Sequence, residues 1–393
     1  MVNLNLSIII FFIYLLIIPA KMSDPKIVQI CHGRIYPPYI SAYALRVNNL
    51  LPGHDSTIVS TGGMIFRDTF IDNIREYRAI LTTVYSVIRG NRYLEIAISR
   101  GQFLRRKYIE AVKTIISDSD IVVLEGPWQY YLFRNYFSGK FIVYDAHNVE
   151  SLLREGNKYH EYTLKLEKDL VSSSNLILSV SKEDVKYLIE SFKAENVVLS
   201  THILGNRIFE WNGENSKNIV FIGSIYGPNI KAVNFIISIA SELPDFQFSI
   251  IGNVNLHRFS HVPGNVKFYG MIGEAEKNKI LSSSILALNP VFESGGRNVK
   301  MVDYIMHGLP IITTETGTRG FSDYDLNGAI IVDGGNNYVS IIKKITSDKE
   351  TILAMSRHVI ELRSAMLQKE GAVNAGDIIL NAYRKWKANQ TSK

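Results

Sequence analysis

The residues best placed to do chemistry stand between Asn289 and Gly320. Gly295-Gly296 is followed by Lys300 and then by Asp303. Two adjacent glycines let the backbone turn tightly and approach a ligand with no Cβ in the way. A helix opens directly after them, and its first N–H groups have no intrahelical partner and carry a partial positive charge. Such a terminus suits a diphosphate. Lys300 and Asp303 are three positions apart and share a helix face. A cation beside phosphates, with a carboxylate that accepts two ribose hydroxyls, is a pairing a nucleotide needs. On residue types alone, a glycine-rich turn followed by a solvated Lys–Asp pair is an equal reading.

Such a segment must be held by a scaffold, and the chain alternates strand-like and helix-like runs. Strands are expected at Lys26–Cys31, Ser56–Ser60, Tyr93–Ile98, Ile121–Glu125, Phe141–Asp145, Leu176–Val180 and Val197–Ser200. Helical spacing covers Ser41–Leu51, Phe103–Ile116 and Lys182–Phe192. The pattern breaks in a polar, turn-rich stretch between Ser200 and Lys217, which sets a domain boundary at 205/206. It restarts with a strand at Asn218–Phe221 and a helix from Asn229, where Ile230, Val233, Ile236, Ile237 and Ala240 mark one buried face. Strands follow at Phe248–Ile251, Val266–Tyr269, Ile285–Leu288, Pro310–Thr313 and Ala329–Val332, then helices from Tyr338. Apolar strands alternating with amphipathic segments imply parallel sheets covered on both faces. The expected fold class is α/β, with two Rossmann-like doubly wound domains over 22–205 and 206–375. Ligands of such sheets bind at the carboxyl ends of the strands.

Composition narrows the classes. With 46% hydrophobic and 20% charged residues, the chain is globular rather than disordered. The net charge of +6 fits a phosphate-bearing partner or an anionic membrane, and no nucleic-acid-binding signature accompanies it. Cys31 is the only cysteine, which excludes an internal disulfide and a cysteine zinc site and fits a reducing compartment. Residues Ser7–Ala20 are almost wholly apolar but short for a membrane span. Three readings of residues 1–21 stay open: a short anchor, a start mis-assigned ahead of Met22, and a cleaved signal. The expected location is the cytoplasm, with attachment to the cytoplasmic membrane face through 1–21. Arg105-Arg106-Lys107, beside Phe103 and Tyr108, either docks on anionic lipid or forms a solvated helix face.

The segment Glu293 to Gly320 resembles the donor-binding segment of the retaining glycosyltransferases of sequence family four, which have the two-domain GT-B fold. The likeness rests on Gly295-Gly296-Arg297-Asn298-Val299-Lys300, on Asp303, and on His307-Gly308-Leu309-Pro310. It continues through Thr313 to Gly320, where the family closes its donor pocket around Gly317. Asp303 stands where the family usually has glutamate. Glu293 matches the family's first acidic residue at a longer spacing than usual. Phe221-Ile222-Gly223-Ser224 resembles the first strand and loop of the family's second domain, with Ser224 in place of a common arginine and Lys231 as the following lysine. Where Lys231 does not serve, Lys300 or Arg297 must carry the charge. Asp145-Ala146-His147-Asn148 resembles a cleft-facing stretch of the first domain, and His147 there orients the sugar or an acceptor hydroxyl. The loop after the first strand carries Ile40-Ser41 where the family has a glycine pair, which leaves Ser41 and Arg34 as candidates. Ser181 followed by Asp184 matches a family turn and equally reads as a capped helix start.

The resemblance implies transfer of a hexose from a UDP- or GDP-sugar to a glycan, lipid-linked or other hydroxyl acceptor, with retention of configuration. It implies no required metal or further cofactor, and a last helix over 376–393 that crosses back to the first domain. Two alternatives share the fold: a nucleotide-sugar-binding protein with impaired catalysis, and a nucleotide-sugar epimerase. An anchored scaffold is the remaining class.

Overall fold

Short runs of isoleucine, valine and leucine, buried on both faces, build the strands. A computed structural model describes residues 24–36, 42–62, 67–90, 93–201, 208–293, 296–370 and 374–391. Eight strands form the first sheet: β1 Ile27–His32, β2 Ser56–Thr61, β3 Thr69–Ile71, β4 Ile74–Tyr77, β5 Ile121–Glu125, β6 Phe141–Ala146, β7 Leu176–Ser179 and β8 Val197–Leu199. Six form the second: β9 Asn218–Ile222, β10 Gln247–Ile251, β11 Val266–Gly270, β12 Leu286–Asn289, β13 Ile311–Thr313 and β14 Ile330–Val332. The first sheet runs β3-β4-β2-β1-β5-β6-β7-β8 and the second β11-β10-β9-β12-β13-β14. Among the described strands, only β3 is antiparallel to its neighbour. In each sheet the order reverses beside its first strand, at β1/β5 and at β9/β12. These are the switch points where open α/β sheets hold ligands.

The expected elements form at most positions, with two corrections. Tyr93–Ser99 is a helix, not a strand. A short apolar run is ambiguous by periodicity alone. Here the sheet edge beyond β2 is already taken by β4 and β3, so the run buries Ile96, Ala97 and Ile98 against other elements instead. The β3–β4 hairpin itself had no clear pattern in the sequence; its two-residue turn uses Asp72 at φ 51°. Asp and Asn tolerate that region better than other side chains. The boundary expected at 205/206 lies outside the described residues.

The second domain's core packs the helix Gly227–Ala240 through Val233, Ile236, Ile237 and Ala240. The helix Lys349–Glu370 closes that domain, and the final helix Ala375–Thr391 belongs to the first domain's core. Ile379, Leu380 and Tyr383 are buried there with Ile27, Ile121 and Phe141. Trp386 and Tyr383 meet the Phe141 ring edge-on at 5.6 and 5.8 Å. Among the described residues, no helix is long and apolar enough to cross a membrane. Because Ile379 is fully buried in the first domain, Ile379→Ala is expected to cost about 2–5 kcal/mol in urea unfolding. Hydrogen exchange should then quicken in β5 and β6 and stay unchanged in β9 to β14.

Candidate functional site

The first wall of the site forms where β5 and β6 end. Glu125 and Asp145 are register partners on adjacent parallel strands, so two carboxyl groups lie side by side, both buried. Two buried like charges cannot both persist without compensation. Arg46, from the helix Ala42–Asn49, grips Asp145 with two hydrogen bonds of 2.7 and 2.6 Å. Burial works to raise the Asp145 pKa, but Arg46 outweighs it and holds the carboxylate ionised. Glu125 has no such grip. Burial and the neighbouring Asp145 push its pKa well above the carboxylate range, so the shared proton resides on Glu125. His147 Nε2 stands 2.8 Å from Glu125 Oε2 and 3.3 Å from Asp145 Oδ2. Burial lowers the His147 pKa to about 4, so its ring is neutral at pH 7. A neutral imidazole can accept or donate one hydrogen bond to a sugar hydroxyl.

Ligand atoms of Glu125, Asp145 and His147 all lie within 4.8 Å of one another, a spacing that can hold a metal ion. Arg46 already occupies both oxygens of Asp145 and supplies the positive charge there.

The second wall forms at β9/β12. Lys300, in the first turn of the helix Val299–Met306, donates to Asn229 Oδ1 at 2.6 Å and lies 4.4 Å from the Phe221 ring centroid. Among the described residues, no carboxylate pairs with Lys300. Burial pulls its pKa down to about 7. Asn229 in turn donates to the Ser224 carbonyl at 3.0 Å. Lys231 and Glu293 are exposed and pair with each other. Asp303 accepts from Lys277 at 3.3 Å, and burial raises its pKa. Gly223 follows β9 and donates its N–H to Ile251. Asn298 donates to the Thr316 carbonyl at 3.2 Å.

Between the walls lies a cavity of about 980 Å³, lined by His32, Tyr43, Trp128, Arg154 and Tyr226 among others. Of the residues singled out from sequence, His147, its neighbour Asn148 and Arg297 line it, and Lys300 and Lys231 do not, although the adjoining Val299 and Ile230 do. Three sequence assignments acquire a different physical content. Arg297 is buried, makes a bidentate pair with Glu370 at 2.7 and 2.8 Å, and so has its charge matched within the chain. Gly296, at φ 60°, meets the first domain: a Cβ there would stand 2.4 Å from the His147 carbonyl. Gly317 is needed for packing, since a Cβ would lie 2.0 Å from Thr313 Oγ1. Gly295 and Ser41 lie outside the described residues. Ser181 does cap its helix, accepting from the Asp184 N–H at 3.1 Å, and Asp184 pairs with Arg319 across the cleft.

Sequence reasoning missed Glu125, Arg46, Trp128 and Arg154. One signal was available for Glu125: it is the sole carboxylate closing an otherwise apolar strand, as Asp145 nearly closes the next. Arg154 lies 4.4 Å from the Trp128 ring centroid and pairs with Glu150.

Two parallel-sheet α/β domains with switch points facing one cleft define the GT-B architecture. Residues 216–348 match the family described as glycosyl transferases group 1, a segment that contains every second-wall residue named above. No curated protein matches the chain in sequence. Its structure is similar to that of sucrose-phosphate synthase from Thermosynechococcus elongatus, with a TM-score of 0.71 and 12% identity over 94% of this chain and 100% of that one. It is also similar to Anabaena HepE in complex with UDP and glucose, with a TM-score of 0.64 and 11% identity over 94% of this chain and 100% of that one. TarM, also solved from S. aureus, gives 0.65 and 9% identity over 92% and 99%. At such identities the likeness establishes the fold.

Two substitutions test the walls. Asp145→Asn leaves the Arg46 guanidinium buried without its counter-charge, so unfolding stability should fall by about 3–5 kcal/mol. Gly296→Ala places a Cβ against the His147 carbonyl. It should open the cleft, seen as a larger radius of gyration in solution scattering with each domain still folded.

Proposed function

We propose that the chain is a retaining hexosyltransferase that takes its sugar from a nucleotide-diphosphate donor and passes it to a hydroxyl acceptor on a glycan or lipid carrier. The observation that carries this reading is Lys300. A lysine drawn far enough from water to lower its pKa to about 7, with no paired carboxylate among the described residues, has an unspent charge at a switch point. A diphosphate supplies the missing countercharge. In the transfer, the C1–O bond to the diphosphate breaks, a C1–O bond to the acceptor oxygen forms, and the acceptor hydroxyl's proton passes to the leaving diphosphate. Negative charge grows on the leaving diphosphate, where Lys300, and Lys231 once released from Glu293, stabilise it. Asp303 takes the ribose hydroxyls, exchanging its bond to Lys277. Neutral His147, set by Glu125 and Asp145, orients the sugar. UDP is the favoured nucleotide because the similar HepE structure holds UDP and glucose.

Ser224, in place of the family's common arginine, leaves fewer cations for the leaving group. This favours, as the second reading, a chain that binds nucleotide sugar without transferring it.

Calorimetric titration with UDP-, GDP- and ADP-sugars tests the site. One of them should bind, and Lys300→Met should weaken it by about 1.5–3 kcal/mol, the value of a charge-assisted hydrogen bond. The free lysine loses its proton as pH rises through about 7, whereas the bound one keeps it. Affinity should therefore fall roughly tenfold from pH 6 to pH 8, with proton uptake on binding, and Lys300→Met should abolish both effects. Asp303→Asn should weaken binding and leave the pH slope intact. Folded protein that binds none of the sugars would reject the proposal, and binding without any sugar transfer would select the second reading.

A further inference from the structure

The helix Ile80–Arg89 is mounted inside out. It buries Thr82, Thr83 and Ser86, whose hydroxyls donate to the carbonyls of Gln102, Ala79 and Thr83 at 3.1, 3.0 and 2.7 Å. It turns its apolar face to solvent: Leu81, Val84, Val87 and Ile88 are 68%, 51%, 60% and 77% exposed. A helix on a soluble domain shows the reverse arrangement. Phe103, 53% exposed and held at φ 58°, extends the patch, its ring 5.0 Å from that of Tyr85. A bulky side chain is rarely kept in that region of backbone space.

The stretch of sequence that carries this face is basic. Residues 67–113 contain ten Lys and Arg against five Asp and Glu, close to the net charge of the whole chain. Arg78 and Arg89 flank the helix, and Arg106 and Lys107 stand exposed on the adjoining segment. Asp68 is neutralised by Arg105 and Lys107. Tyr108, grouped with these residues by sequence, is fully buried and takes no part.

We propose that this helix docks the first domain on an anionic lipid surface, with Leu81, Val84, Val87 and Ile88 in the acyl boundary and the arginines at the headgroups. Apolar burial and attraction to anionic headgroups together are what hold an amphipathic helix in a membrane interface. Arg89, Gly90 and Tyr93 also line the cavity, so docking brings its mouth to the lipid. Delivery of a lipid-carried acceptor rests on the transferase reading, whereas the docking itself does not.

Site-resolved fluorescence on the full chain tests the docking. Cys31 is buried and bonded to the Val59 carbonyl, so an environment-sensitive thiol dye will report a Val87→Cys position. With vesicles of phosphatidylcholine and phosphatidylglycerol, the Val87 probe should shift to the blue and brighten. It should respond much less to phosphatidylcholine alone, and the response should shrink in salt. A probe at Ser340→Cys, exposed on the second domain, should not move. Leu81→Ser, Val84→Ser and Ile88→Ser together should remove the Val87 response without altering nucleotide-sugar binding. An unshifted Val87 probe on protein that still sediments with vesicles would overturn the proposal, since attachment then comes from elsewhere. A blue shift that grows with protein concentration without vesicles would also overturn it, by seating a second copy on this face.

Discussion

Buried charge must be compensated, and the cleft is organised by where the compensation comes from. On the first-domain wall the chain supplies it all. Arg46 answers Asp145, the leftover proton sits on Glu125, and His147 is left neutral among them. The desolvation cost of such a group is met only because each partner is present with good geometry. On the second-domain wall the chain leaves Lys300 with the amide of Asn229 and the face of Phe221, neither of which carries a charge. One wall matches its charges internally, and on the other Lys300 has no paired carboxylate among the described residues.

The contacts that hold the walls together are polar. Arg319 reaches Asp184, Lys182 reaches Asp323, and Glu370 collects Arg297 and Thr201. Interfaces between domains built from such pairs resemble transient ones, and they favour relative motion. Gly296 adds close backbone approach at the same seam. Nearby residues divide their work: Gly296 meets the His147 carbonyl of the first domain, Arg297 pairs with Glu370, which also holds Thr201, and Lys300 turns to Asn229 and Phe221. The helix Ala375–Thr391 ties the two units again, by burying its apolar face in the core of the domain that the chain left earlier.

Much of this molecule is written locally. Periodicity alone located Ile121–Glu125 and Lys182–Phe192, and the glycine pair, helix start and Lys–Asp spacing marked the second wall. Those features depend on residues within one turn or one strand of each other, where backbone sterics and side-chain period decide. What the sequence by itself determined, then, was two doubly wound sheets. The tertiary structure decided the rest. Arg46 and Asp145 are 99 positions apart, so nothing local announces their pairing or the proton it leaves on Glu125. Arg297 looked like a phosphate contact until Glu370, 73 positions away, took its charge. Tyr93–Ser99 has the composition of a strand but lacked a free sheet edge. The face of Ile80–Arg89 has an ordinary amphipathic pattern, and only its mounting shows that the apolar side points outward. Periodicity reports that a helix has two faces, whereas packing alone decides which of them meets water.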